Sequence, residues 1–184
     1  ADFVNSDPKP KAIFLNSPHN PTGGVTTEED LEAIANLIRG KNIIVFSDEP
    51  YDQMAWQGQH HSLLAQPGML DQCLACYTFS KSFSMSGWRL GYAVGSKRVI
   101  DMIAKLTNST LSCVPPFVQI AGAAALRTDR NERNDTMDIF QERVVSLATK
   151  LNELEGVQCL IPGGTFYVFP NVSAICNRHG ITSH

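Results

Sequence analysis

The sequence predicts an α/β fold, and two features carry that prediction. Short apolar runs of strand length recur through the first half, and amphipathic helical stretches or polar loops separate them. Runs without strict alternation suit a sheet covered on both faces. A third observation is the composition: with 43% hydrophobic and 18% charged residues, a chain of 184 residues has material for one sizeable core and part of a second.

The first run, residues 11–15, ends in the turn-rich Asn16-Ser17-Pro18-His19-Asn20-Pro21-Thr22-Gly23-Gly24, so a buried strand runs into a loop of the kind that carries function. Asn20–Pro21 is a candidate cis peptide that would aim the Asn20 amide inward. Thr26 or Thr27 then caps a helix through Leu31, Ile34, Ala35 and Ile38, with Glu28, Glu29 and Asp30 in its first turn and Gly40 past its end. Residues 43–46 form a second strand that runs into Ser47-Asp48-Glu49-Pro50-Tyr51; residues 73–79 form a third and 90–94 a fourth. Beyond Gly95 helical periodicity takes over at 98–111, 115–126 and 131–154, with Pro115 and Pro116 suited to a helix start and Gly156 to a stop. Residues 157–161 and 165–169 are expected as strands around a Pro162-Gly163-Gly164 turn, the opening of a second domain.

A formal net charge of -3 with Lys+Arg 15 offers no basic field, so nucleic acid is not expected as a partner. No apolar run reaches bilayer-spanning length, and Ala1-Asp2-Phe3-Val4 lacks the basic flank of a secretory signal. A soluble, cytoplasmic protein without a membrane partner is expected. Cys73-Leu74-Ala75-Cys76 superficially matches a redox or metal pair, but residues three apart in a strand point to opposite faces, so buried thiols are expected and no metal site. His60-His61, in a polar loop, is expected to be solvated.

Polar clusters sit at or near one end of each of the four strands: Asn20, Asp48 with Tyr51, Ser80 with Lys81, and Arg89. Ligands bind beyond the carboxyl ends of strands in open α/β sheets, so three clusters can share a crevice, while Arg89 joins them if the fourth strand is antiparallel. The residue types match what a pyridine aldehyde phosphate needs. Lys81 supplies an amine for a Schiff base, and Asp48 a carboxylate to keep the ring nitrogen protonated. Asn20 and Tyr51 supply hydrogen-bond donors for the phenolic oxygen; Thr78, Ser80 and Arg89 suit a phosphate. Bland alternatives stand beside each role. Lys81 can be a solvated surface residue, Asp48 a helix cap with Glu49 or Asp52 as the carboxylate instead, Asn20 a turn residue, Tyr51 core packing, Arg89 an ion-pair partner, and Thr78 with Ser80 a cross-strand pair on one face.

The blocks Asn20-Pro21-Thr22-Gly23, Asp48-Glu49-Pro50-Tyr51 and Ser80-Lys81-Ser82-Phe83-Ser84-Met85-Ser86-Gly87-Trp88-Arg89-Leu90-Gly91 together resemble class I/II aminotransferases, the aspartate aminotransferase-like pyridoxal-phosphate (PLP) enzymes of fold type I. The resemblance implies that Lys81 holds the cofactor covalently, Asp48 pairs with the pyridine nitrogen, Asn20 and Tyr51 contact the ring oxygen, and Thr78, Ser80 and Arg89 bind phosphate. The catalytic set is then Lys81, Asp48 and Tyr51, and the substrates are an amino acid and a 2-oxo acid. It implies a mostly parallel sheet sandwiched by helices, with residues 1–128 in the large PLP-binding domain, 129–155 as an interdomain helix and 156–184 opening the small C-terminal α+β domain. It also implies a homodimer and further segments that supply a phosphate loop and a substrate-gripping arginine, so the chain is expected to be a fragment with weak cofactor binding and little activity alone. Lyases, decarboxylases and synthases that share this constellation, and regulators that use such a domain to sense PLP, are the alternative readings.

Overall fold

The computed structural model describes residues 2–128 and 131–182. The expected interdomain segment therefore starts, at residues 129 and 130, outside the described residues. Among the described residues the strands are β1 (Ala12–Asn16), β2 (Ile44–Asp48), β3 (Cys73–Thr78) and β4 (Gly91–Val94), in one sheet of order β1-β2-β3-β4. The first three are parallel and β4 is antiparallel to β3, as the place of Arg89 required. The helices are α1 (Asp2–Asn5), α2 (Glu28–Ile38), α3 (Lys97–Thr110), α4 (Pro116–Arg127), α5 (Asn131–Asn152) and α6 (Ser173–Arg178).

The α2 helix starts where its capping chemistry dictates. The Thr27 hydroxyl accepts from the Asp30 amide and the Asp30 carboxylate accepts from the Thr27 amide, closing a capping box. Its apolar stripe of Leu31, Ala35 and Ile38 is buried against Ile43 and Val45 of the second strand region, together with Leu63, Met69 and Cys73. On the opposite face of the sheet Phe14 stacks on Phe46 with ring centroids 4.9 Å apart, and Phe14 is 81% exposed. A smaller cluster of Phe79, Leu90 and Val118 packs α4 beside the loop that follows β3. Gly122 makes this approach possible, because a Cβ there would lie 2.4 Å from Leu90 Cδ2 and 3.2 Å from Phe79 Cζ.

The expected strands at 157–161 and 165–169 are not formed. Gln158 and Asn171 exchange a single antiparallel bridge, and Ala55 bridges Gly164. Pro162 lacks an amide hydrogen, and Thr165 takes a left-handed conformation at φ 64, so the ladder cannot continue through the segment. Side chains hold it instead. The Asn152 amide donates to Cys159 O at 2.7 Å and Asn152 Oδ1 accepts from Cys159 N at 2.8 Å, reproducing a strand partner with one residue. Among the described residues no helix is long and apolar enough to cross a membrane.

Candidate active site

The parallel register brings the carboxyl ends of the strands into line, with Asn16 opposite Asp48 and Asp48 opposite Cys76. The antiparallel β4 begins at the same edge, with Gly91 opposite Thr78, which puts Arg89 there as well. Alternation along β2 decides which way each carboxylate points. Asp48 is exposed at the open end of the sheet, where Asn16 Nδ2 donates to Asp48 O at 2.9 Å and to Asp48 Oδ2 at 3.3 Å. Partial burial and then the neighbouring Glu49 charge hold the Asp48 carboxyl above its ordinary value of 3.8.

Glu49 points the other way and is 1% exposed. Its carboxylate accepts from Ser47 Oγ at 2.6 Å and from Ser62 Oγ, Tyr77 OH and His60 Nε2 at 2.7 Å each. Burial pushes its pKa up, but these four bonds outweigh burial and leave it below its ordinary 4.5. His60 is therefore not solvated as the sequence suggested: folding brings an acceptor within reach that lies eleven positions earlier in the chain. Asp52, the other alternative carboxylate, accepts from the Gln53 amide at 2.7 Å.

Lys81 stands in the turn after β3 with its Nζ 5.4 Å from the Tyr51 ring centroid and 5.1 Å from that of Phe166, within cation–π range of both. Tyr51 is buried, and its hydroxyl lies 2.9 Å from that of Tyr167. Burial, the Tyr167 hydrogen bond and the nearby Asp48 charge push the Tyr51 phenol up, so it remains a protonated donor across physiological pH. Asn20 follows from the loop after β1. Its amide hydrogen is held by Asn16 Oδ1 at 2.9 Å, its side chain reaches Tyr167 OH at 3.4 Å, and the Asn20–Pro21 peptide is cis. Asn20, Asp48, Tyr51 and Lys81 are thus brought to one edge of the sheet through Asn16, Tyr167 and Phe166.

The residues expected at a phosphate are gathered less tightly. Thr78 ends β3 and its Oγ1 accepts from the Ser80 amide at 3.1 Å, so Ser80 belongs to the turn and the two are not alternate residues on one strand face. Arg89 has a left-handed backbone at φ 51, is exposed, and donates from Nη1 to Ser86 O at 2.9 Å. Cys73 packs in the core beside α2, where burial first and the Glu49 charge second push its thiol up to about 12. Such a thiol is not an activated nucleophile at neutral pH.

Three contributors were not singled out from sequence. Asn16 carried the same signal as Asp48, a polar residue closing an apolar strand. Tyr167 and Phe166 carried none, because the distance of 116 residues between Tyr51 and Tyr167 is closed only by the fold. That closure runs through glycines: Gly164 N donates to Gly23 O at 2.9 Å, and at Gly23, with φ +71, a Cβ would meet Pro162 Cβ at 2.3 Å.

Known proteins resemble this chain in sequence and in fold. The family model described as aminotransferase class I and II matches residues 2–180. An aspartate aminotransferase of Musicola paradisiaca is 32% identical over 91% of this chain and 42% of its own length. One of Bacillus subtilis is 36% identical over 94% and 44%, respectively. The crystal structure of an aromatic aminotransferase from Pyrococcus horikoshii superposes with a TM-score of 0.84 at 34% identity, covering 90% of this chain and 44% of that one. The chain spans less than half the length of these relatives, and it belongs to the class I and II aminotransferase family.

Proposed function

We propose that these residues form the central part of a PLP-dependent aminotransferase that moves an amino group between an amino acid and a 2-oxo acid. One observation carries the reading: Lys81 Nζ lies over the Tyr51 ring at the sheet edge that also presents Asp48 and Asn20. The residues fit the cofactor. Asn20 Nδ2 and the Tyr51 hydroxyl already converge on one oxygen, that of Tyr167, so the pair can address a single acceptor atom. Asp48 is the carboxylate left facing outward, since Glu49 is enclosed by four donors.

When bound, PLP supplies an electron-withdrawing pyridine ring that stabilises negative charge at the substrate carbon bearing nitrogen. Lys81 would hold it through Nζ, and the same amine, when free, would be the base that takes the proton from the substrate Cα. Asp48 would keep a proton on the ring nitrogen, and its raised pKa marks a partly desolvated carboxylate that gains by facing a cation. Tyr51 and Asn20 would donate to the ring oxygen. Thr78 and Ser80 offer hydroxyls to the phosphate, and Arg89 a guanidinium once it leaves the Ser86 carbonyl.

The same reading assigns residues 1–128 to a large domain, 129–155 to the connection and 156–184 to the start of a small domain, in a cytoplasmic homodimer. In that reading the three segments meet in one cluster, where Met137 and Phe140 of α5, with Phe166 and Tyr167, pack against Tyr51 and Met54. In the whole enzyme, Lys81→Ala is expected to abolish both the visible absorbance of bound PLP and the transfer of amino groups to 2-oxoglutarate. Retention of both would overturn the assignment, and a Lys81-dependent band without glutamate formation would redirect it to a lyase, decarboxylase, synthase or sensor.

A further inference from the structure

Glu49 is the most enclosed charged group among the described residues, and the chemistry proposed above does not use it. A carboxylate taken out of water is costly unless its oxygens are fully paired, and replacing such a network with apolar packing is often neutral or stabilising. Stability alone therefore does not explain four donors gathered on one carboxylate. What distinguishes Glu49 is its address. It directly follows Asp48, alternation sends the two side chains to opposite faces, and its own amide is bonded to Cys76 O of β3 at 2.9 Å.

We propose that Glu49 is a positioning residue for Asp48: its carboxylate clamps the end of β2 to β3 and to the loop carrying His60 and Ser62, and sets a fixed negative charge behind the ring-nitrogen contact. The donors come from separate parts of the chain, Ser47 from β2, Tyr77 from β3, and His60 and Ser62 from the loop before residues 63–65. Tyr77 in turn stacks on Tyr92 of β4 at 5.0 Å, so the clamp reaches the strand that follows Arg89. Asp48, held from its other side by Asn16, then has its backbone fixed on both neighbours. The Glu49 charge is also the second cause, after burial, of the raised Asp48 pKa, which makes Asp48 a better partner for a cation.

The inference rests on the proposed PLP chemistry, and its test separates the two. In the whole enzyme, Glu49→Gln keeps the size of the side chain while removing its charge and one acceptor. Affinity is measured by titrating the apoenzyme with PLP and with the PLP analogue whose ring nitrogen is replaced by carbon. Glu49→Gln is expected to weaken PLP about tenfold and the analogue less than twofold, because Glu49 acts through Asp48 on the nitrogen alone. Tyr77→Phe, which removes one donor with little change in shape, is expected to show the same selectivity at about threefold and serves if Glu49→Gln does not fold. Equal factors for both ligands in either variant, with a Lys81-dependent visible band intact, overturn the inference and leave the proposed function standing. Absence of any Lys81-dependent band in the parent protein overturns both.

Discussion

Removing the Tyr167 hydroxyl tests whether the C-terminal segment is bonded into the site or merely rests on it. Tyr167→Phe deletes the 2.9 Å bond to Tyr51 and the long 3.4 Å contact from Asn20. It keeps the ring contacts to Tyr51 at 5.7 Å and Phe166 at 4.6 Å, so no cavity forms. A net hydrogen bond contributes about 1 kcal/mol, and the Tyr51 hydroxyl keeps the Asn20 side chain beside it, so the loss stays toward the lower part of the about 1–3 kcal/mol that a wholly unpaired group costs. The expected loss is about 1–2.5 kcal/mol. Tyr51→Phe leaves Tyr167 with only the long Asn20 contact, and the double variant removes both hydroxyls at once, so its cost falls below the sum of the singles by about 1 kcal/mol. Urea unfolding of the four proteins measures this as shifts in midpoint at constant slope. Strictly additive losses, or a Tyr167→Phe midpoint equal to that of the parent, would refute the bonded link.

Further expectations follow from other contacts. Because the four donors hold the Glu49 pKa below 4.5, its stabilisation is present above that value and lost as pH falls through the depressed one; the stability gap between parent and Glu49→Gln, measured by thermal unfolding from about pH 7 to pH 3, should shrink on acidification. Gly23→Ala should destabilise by more than about 2 kcal/mol, adding left-handed strain to a collision with Pro162, while the same change at Gly40, where a Cβ meets nothing within 4 Å, should cost only the strain of about 1–2 kcal/mol. Asn152→Ala should cost about 2 kcal/mol or more and accelerate hydrogen exchange at the Cys159 amide, which loses its acceptor. The 184-residue chain by itself is expected to bind PLP weakly and to transaminate little, since the resemblance places a phosphate loop and an arginine clamp in other segments; robust specific activity from the purified chain would show otherwise.

What the sequence determined by itself was whatever short-range chemistry encodes. The α2 helix was legible because Thr27, Asp30 and the Leu31, Ala35 and Ile38 stripe each act within a turn or two. β1, β2 and β3 were legible as apolar runs too short for helices, and the three motif blocks named Lys81, Asp48, Asn20 and Arg89 without any knowledge of their distances. The false strands at 157–161 and 165–169 came from reading apolar content as pairing, when among the described residues only single bridges form there and Asn152 pairs with Cys159. Only the tertiary structure separates the surroundings of the neighbouring carboxylates. Asp48 and Glu49 are adjacent, alike in charge and both in the motif, and they differ in which face of the pleat each occupies and in who waits there. Four donors from β2, β3 and a distant loop enclose Glu49, while Asn16 alone attends Asp48 at the open edge. Such long-range company has no local signature, since a hydrogen bond depends on positions in space that the whole chain must fold to create.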